Sequence, residues 1–155
     1  MAPLEVRFIS GGTELLDQVE VMWRKLTLDA STHSEHFHGY FANKPWEERK
    51  AELAAKAAKG SVVVDIAAVG DRRVGYCISS VSAEGIGELD SLFVDEDCRG
   101  QKVGERLAQR SVEWMRRRGA RTMLVLTVYG NEDVLPFYAR QGFLPMMVLL
   151  QHVER

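Results

Sequence analysis

DEDCRGQKVGERL, residues 95–107, joins the apolar stretch LDSLFV at 89–94 to a segment with helical periodicity. Three acids come first, then a cysteine, then Arg99-Gly100, with Lys102 and Gly104 in the first turn of the expected helix. A helix start presents unpaired backbone N–H groups and a partial positive charge, which together attract an anion. Gly100 and Gly104 lack a Cβ and so let a ligand approach the backbone. Arg99 and Lys102 oppose the helix dipole, an arrangement that stability alone does not favour. A solvated turn with incidental basic residues is the plain alternative. Two better-known phosphate loops are excluded. Lys102 is followed by Val103 rather than Ser or Thr, and no G-x-G-x-x-G opens a first βα unit.

Around this turn the chain reads as strand, two helices, three strands, helix, strand, helix, strand. PLEVRFI alternates as a short strand, and GGTELLDQVEVMWRKLTL is helical with Leu15, Val19, Met22 and Leu26 on one face. STHSEHFHGYFANK has no period and reads as a loop. Pro45 and Gly60 bracket PWEERKAELAAKAAKG as the second helix. SVVVDIAAV and VGYCISSV are strands about the turn GDRR, and ELDSLFV is the next. Residues 101–118 form a helix with Val103, Leu107, Ser111 and Trp114 or Met115 inward, ended by Gly119. RTMLVLTV reads as a strand buried on both faces. A short helix starting near Asp133 keeps Pro136 in its first turn and runs to Gly142. FLPMMVLLQHV is expected to be the last strand. The expectation is one α/β (α+β) domain over residues 1–155, a mixed sheet of about six strands with four helices.

Composition narrows the function. The 155 residues are 46% hydrophobic and 27% charged, as in a globular protein, and 20 Lys plus Arg against 22 Asp plus Glu leaves no basic excess for nucleic acid. Cys77 and Cys98 make no disulfide framework and suit a reducing compartment. MAPLEVRFIS lacks the pattern of a signal peptide, and no apolar run nears the roughly 20 residues that span a bilayer. A cytoplasmic protein without membrane contact is expected. His33, His36 and His38 lack the spaced second pair that tetrahedral zinc requires, so no metal is expected. The apolar last strand calls for a neighbour, and a homodimer is one way to supply it.

Arg99-Gly100-Gln101-Lys102-Val103-Gly104 resembles the R-x-x-G-x-G motif of the GCN5-related N-acetyltransferases (GNAT), with Lys102 at the middle glycine. LDSLFV precedes it at the family's spacing. GNEDVLPFYARQGF resembles the second signature, N-x-x-A-x-x-F/Y-Y-x-x-x-G-F, with Val134 for alanine. The resemblance covers residues 62–150 well and residues 1–60 only by order of elements.

It implies the GNAT acyl-CoA N-acyltransferase fold, with the fourth and fifth strands splayed around the pantetheine arm of acetyl-CoA. The arm would pair with the main chain of Leu92 and Val94, with Phe93 between them. The diphosphate would rest on the N–H groups of Gly100, Gln101, Lys102, Val103 and Gly104, beside the Arg99 and Lys102 charges. Asn131 would contact the cofactor, and it also reads as a helix-capping asparagine. Tyr138 would stand by the thioester sulfur, where its phenol (pKa about 10) can protonate the leaving thiolate. An alkylamine, with a pKa of about 10.4, must lose a proton before it attacks. Glu88 and Asp90, two apart on a strand, share a face. The resemblance makes one of them the base, directly or through water, or an attractor of a cationic acceptor. The reaction implied is direct acetyl transfer to a primary amine in a ternary complex, the amine being a small molecule or, alternatively, a protein N-terminus or lysine. The rival is a binding module of the same fold that holds coenzyme A or an acyl-CoA without turnover.

Overall fold

The computed structural model describes residues 3–154. Five strands, β1 (Arg7–Gly11), β2 (Ser61–Val69), β3 (Arg72–Val81), β4 (Ile86–Val94) and β5 (Thr122–Val125), form one sheet in chain order. The first four are antiparallel neighbours, and β5 runs parallel to β4. The helices are α1 (Glu20–His33), the short α2 (His38–Ala42), α3 (Trp46–Lys59), α4 (Val103–Arg117) and α5 (Leu135–Arg140). The expected mixed α/β architecture is therefore present.

Apolar side chains cover both sheet faces. On one, Leu16, Val19, Met22, Trp23, Trp46 and Leu53 pack with Val64, Ile66, Tyr76, Ile78 and Phe93. On the other, Val103, Leu107, Ala108 and Tyr138 pack with Ala67, Val74, Cys77 and Leu89. α3 lies between Pro45 and Gly60 as the sequence punctuation requires. A Cβ on Gly60 would fall 2.3 Å from the Val81 carbonyl, so this junction admits only glycine. α4 buries Met115 rather than Trp114 on its inner stripe.

Three expectations are corrected. The first expected helix is split: Thr13–Val19 is a 3₁₀ helix, and α1 continues to His33. The 3₁₀ winding brings residues three apart to one side, which buries Leu16 and Val19 and leaves Leu15 only partly covered. Residues 143–154 form no strand, and Leu144, Met146, Met147, Val148, Leu149 and Leu150 are all exposed. β5 is consequently the sheet's edge, and its residues alternate between exposed and half-buried instead of being covered on both faces. Apolar content is the same whether or not a strand finds its neighbour, so periodicity alone could not separate the two cases.

Candidate active site

β4 carries one residue more than β3 can pair. Ser91 faces Ile78 and Leu89 faces Ser79, which leaves Asp90 without an opposite number: a β-bulge. The bulge explains how Leu89 and Leu92, three apart, both join the α4 side of the core. β4 pairs with β5 only from Ile86↔Thr122 to Leu89↔Val125, ending where the bulge begins. Beyond it the two strands part. Asp95 N–H donates to Val74 O at 2.7 Å, and antiparallel alternation then turns the main-chain groups of Leu92 and Val94 away from β3. The Val94 carbonyl accepts from Arg99 Nε at 3.0 Å.

Glu88 and Asp90 do share a face, and it is the one under α3. Lys56 Nζ bridges them, donating to Glu88 Oε2 at 2.9 Å and to Asp90 Oδ1, while Ser80 Oγ donates to Asp90 Oδ2 at 2.6 Å. The Asp90 side chain is wholly buried, whereas Glu88 keeps 27% of its side-chain surface exposed. Burial, reinforced by the neighbouring Glu88, lifts the Asp90 carboxyl to about 6 against the pull of Lys56 and Ser80. Burial opposes ionisation of Glu88 as well, but hydrogen bonds from Asp90 and Lys56 outweigh it and hold that carboxyl low. The pair therefore contains one group poised near neutrality and one that stays ionised.

Between the parted strands lies a cleft of about 290 Å³. β4 contributes residues 89–92 and the far wall residues 125–128, with Asn131, Val134 and Tyr138 at one side. α1 and α2 roof it with Trp23, Tyr40 and Phe41. The roof meets the far wall where a Cβ on Gly130 (φ 103°) would lie 2.3 Å from the His33 carbonyl, a contact no other residue type allows. The Tyr138 ring packs edge-on against Phe137 and Phe143, and burial holds its phenol protonated well above the ordinary range. Among the described residues its hydroxyl has no hydrogen-bond partner. Asn131 precedes the 3₁₀ turn Glu132–Val134, but its side chain does not cap that turn.

The three acids that precede α4 are partly taken up by cations from other elements. Arg72 grips both oxygens of Asp97 at 2.8 Å and Asp95 at 3.1 Å, and Lys25 holds Asp95 at 3.2 Å. Among the described residues no side chain caps α4, whose first helical bond runs from Arg106 N–H to Lys102 O at 3.0 Å, so the N–H groups of residues 103–105 lack helical partners. Lys102 is left-handed (φ 66°), the one non-glycine residue with positive φ among those described, and Gly100 has φ 79°. The backbone thus keeps a glycine-like conformation at the motif's middle position, at a cost of about 1–2 kcal/mol for a side-chain-bearing residue. A Cβ on Gly104 would come no nearer than 3.4 Å to Val94 and 3.6 Å to Phe137, so packing does not demand that glycine.

Asp90, Leu92, Asn131 and Tyr138 meet in the cleft lining, as does Arg49, while Glu88, Phe93, Val94 and residues 99–104 lie outside it. Val94 and Phe137 connect the two regions by packing beside Gly104. The Phe93 side chain points into the core instead. Sequence reasoning missed Lys56 and Arg49. Their signal is the spacing Trp46, Arg49, Leu53, Lys56, which puts two cations on the inward stripe of α3. The three expected loop histidines do not converge: His33 lies 3.8 Å from Asp29 and His36 lies 3.7 Å from Glu35. No group of three metal-ligating side chains occurs among the described residues.

The profile of the acetyltransferase (GNAT) family matches residues 12–143. The uncharacterized N-acetyltransferase of Methanocaldococcus jannaschii is 32% identical over 66 residues, 43% of this chain and 29% of that protein, so the match spans under a third of the relative's length. A GCN5-related N-acetyltransferase from Ralstonia eutropha JMP134 superposes with a TM-score of 0.72 at 16% identity, covering 96% of this chain and 98% of that one. The aminoglycoside N-acetyltransferase AAC(6')-Iy, solved in complex with CoA, superposes with a TM-score of 0.66 at 17% identity, covering 99% and 97%.

Proposed function

Because the chain belongs to the acetyltransferase (GNAT) family, we propose that its one domain transfers the acetyl group of acetyl-CoA to a primary amine by direct attack in a ternary complex. The observation that carries this reading is the cleft opened by the Asp90 bulge, where unpaired β4 main chain faces Tyr138 and Asn131. The pantetheine arm pairs with Leu92 and with the N–H of Val94, and Phe93 supplies the backbone between them. The diphosphate sits on the N–H groups from Gly100 through Gln101, Lys102 and Val103 to Gly104, with Arg99 and Lys102 supplying charge. Catalysis comes mainly from holding amine and thioester together. Tyr138, kept protonated, donates to the departing thiolate.

The amine's proton passes through water to the Glu88–Asp90 pair. Asp90 accepts only when ionised, so kcat/KM is expected to fall as pH drops through about 6. In Asp90→Asn that limb should vanish and the neutral-pH rate should drop by roughly 10²-fold, recovering at alkaline pH where free amine is abundant. A limb near pH 6 that survives the substitution refutes this role.

The reading as a whole is tested by thiol release from acetyl-CoA across a panel of primary amines. Amine-dependent release that falls roughly 10-fold or more in Tyr138→Phe is expected. Tight coenzyme A binding with no amine-dependent release would instead make the protein a binding module.

No helix among the described residues is long and apolar enough to cross a membrane, and the two free, buried cysteines suit a reducing, cytoplasmic setting. The unpaired tail and the open β5 edge support a homodimer in which each tail adds to the other copy's sheet, since the chain's own tail leaves that edge vacant. Light scattering is expected to give twice the 17.5 kDa chain mass, and a variant ending at Gly142 should be monomeric. Equal masses for the two would rule the exchange out.

A further inference from the structure

The two β4 carboxylates that would draw a cationic acceptor toward this cleft are already engaged. Lys56 and Ser80 occupy both oxygens of Asp90, and Lys56 also holds Glu88. Asp29 is the other acid of the lining, and its side chain is 54% exposed, with His33 3.8 Å away. Beside the β4 bulge the balance is reversed. The Arg49 side chain is 18% exposed, lines the cleft, and among the described residues makes a single hydrogen bond, from Nη2 to the Asp90 carbonyl at 2.9 Å. Its nearest carboxylate, Glu52, is 3.8 Å away and is itself clamped by Lys44 at 2.6 and 2.8 Å. A guanidinium has five N–H donors in a planar fork that matches a carboxylate. Here most of that fork is unspent, and it stands at the bulge where β4 opens.

We propose that the acceptor is an amino acid-like molecule carrying a carboxylate close to its amine, and that Arg49 binds that carboxylate. The inference rests on the acetyl-transfer reading above and adds the acceptor's charge to it. An amine only a few bonds from the carboxylate is then held beside β4, next to the acyl group. A polycationic acceptor finds only the half-exposed Asp29 there and meets Arg49 and Lys44 in the same lining.

The test compares free amino acids with their carboxamides and with the corresponding decarboxylated amines, using acetyl-CoA and the whole protein. The amino acids are expected to have kcat/KM at least roughly tenfold higher, because the analogues leave buried donors unpaired. In Arg49→Gln the preference should collapse through acceptor KM, with coenzyme A affinity unchanged, and Arg49→Lys should retain part of it. Equal or better rates with the amides or amines, or a preference that survives Arg49→Gln, overturn the proposal. The comparison on the unaltered protein decides it even where a variant fails to fold. If no amine is acetylated, the acetyl-transfer reading fails. Calorimetric titration of the amino acids into the coenzyme A complex then judges Arg49 by itself: binding lost in Arg49→Gln supports the site, and no binding refutes it.

Discussion

Arg99→Glu combined with Lys102→Glu is expected to weaken coenzyme A binding by about 10²-fold or more while leaving the fold nearly as stable as before. Two charge-assisted contacts to a diphosphate are worth about 1.5–3 kcal/mol each, and solvent at this exposed turn brings the sum toward the lower end. The folded chain gives up little in exchange: Arg99 loses one exposed hydrogen bond to Val94 O and a cation–π contact 5.9 Å from the Phe93 ring, and Lys102 loses no side-chain hydrogen bond among the described residues. Isothermal titration with coenzyme A, paired with denaturant unfolding, separates the two effects. Lys102→Gly is the informative companion. It removes one charge yet relieves the left-handed backbone, so affinity should fall by only about 5–10-fold while stability rises by up to about 1 kcal/mol, part of the gain being offset by unfolded-state entropy. Affinity unchanged by the double reversal would remove the turn from the cofactor site.

Lys56→Met should have the largest effect on stability, and the effect should depend on pH. The methionine keeps the packing of the stem but leaves Glu88 and the wholly buried Asp90 without a counter-charge. Losing one partner of a buried pair costs about 3–5 kcal/mol, and the partial exposure of Lys56 lowers the expectation to roughly 2–3 kcal/mol at pH 8. The folded-state pKa of Asp90 already lies above its unfolded value, and loss of Lys56 raises it further. Between the unfolded value near 4 and the folded value the native protein holds the extra proton, so stability falls as pH rises through that window. The deficit of the variant should therefore be greatest at pH 8 and smaller near pH 4, where Asp90 is neutral in the folded state and the unfolded chain is only about half ionised at this residue. Urea unfolding at the two pH values measures it. An equal deficit at both would mean that Lys56 acts through packing and not through charge.

Local chemistry carried much of the fold. Pro45 and Gly60 end α3 because one fixes φ before the helix and the other permits a backbone contact after it. The inward stripe of α4 followed from its 3.6-residue period, and Lys102 could be seen to occupy a glycine's place before its φ was known. What escaped depends on non-local partners. A bulge is a mismatch between two strands, and nothing within ELDSLFV marks Asp90 as the surplus residue. Arg49 and Lys56 looked like ordinary solvated cations, since only the docking of α3 on the sheet turns them inward over β4. The pairing of Glu88 and Asp90 was legible from strand alternation, but their neutraliser, more than thirty residues away, was not. The tail failed for a similar reason, because an apolar extended segment does not name the edge it belongs to.

The surplus residue in β4 also separates two kinds of change that evolution can make. Because Asp90 and Ser91 both turn toward α3, excising Asp90 would restore strict alternation without exposing a single core side chain. The shortened strand could then zip to its parallel neighbour along its full length, giving a more regular sheet with no opening between the strands. Point substitutions would grade the proposed activity, whereas loss of one codon is expected to close the cleft altogether.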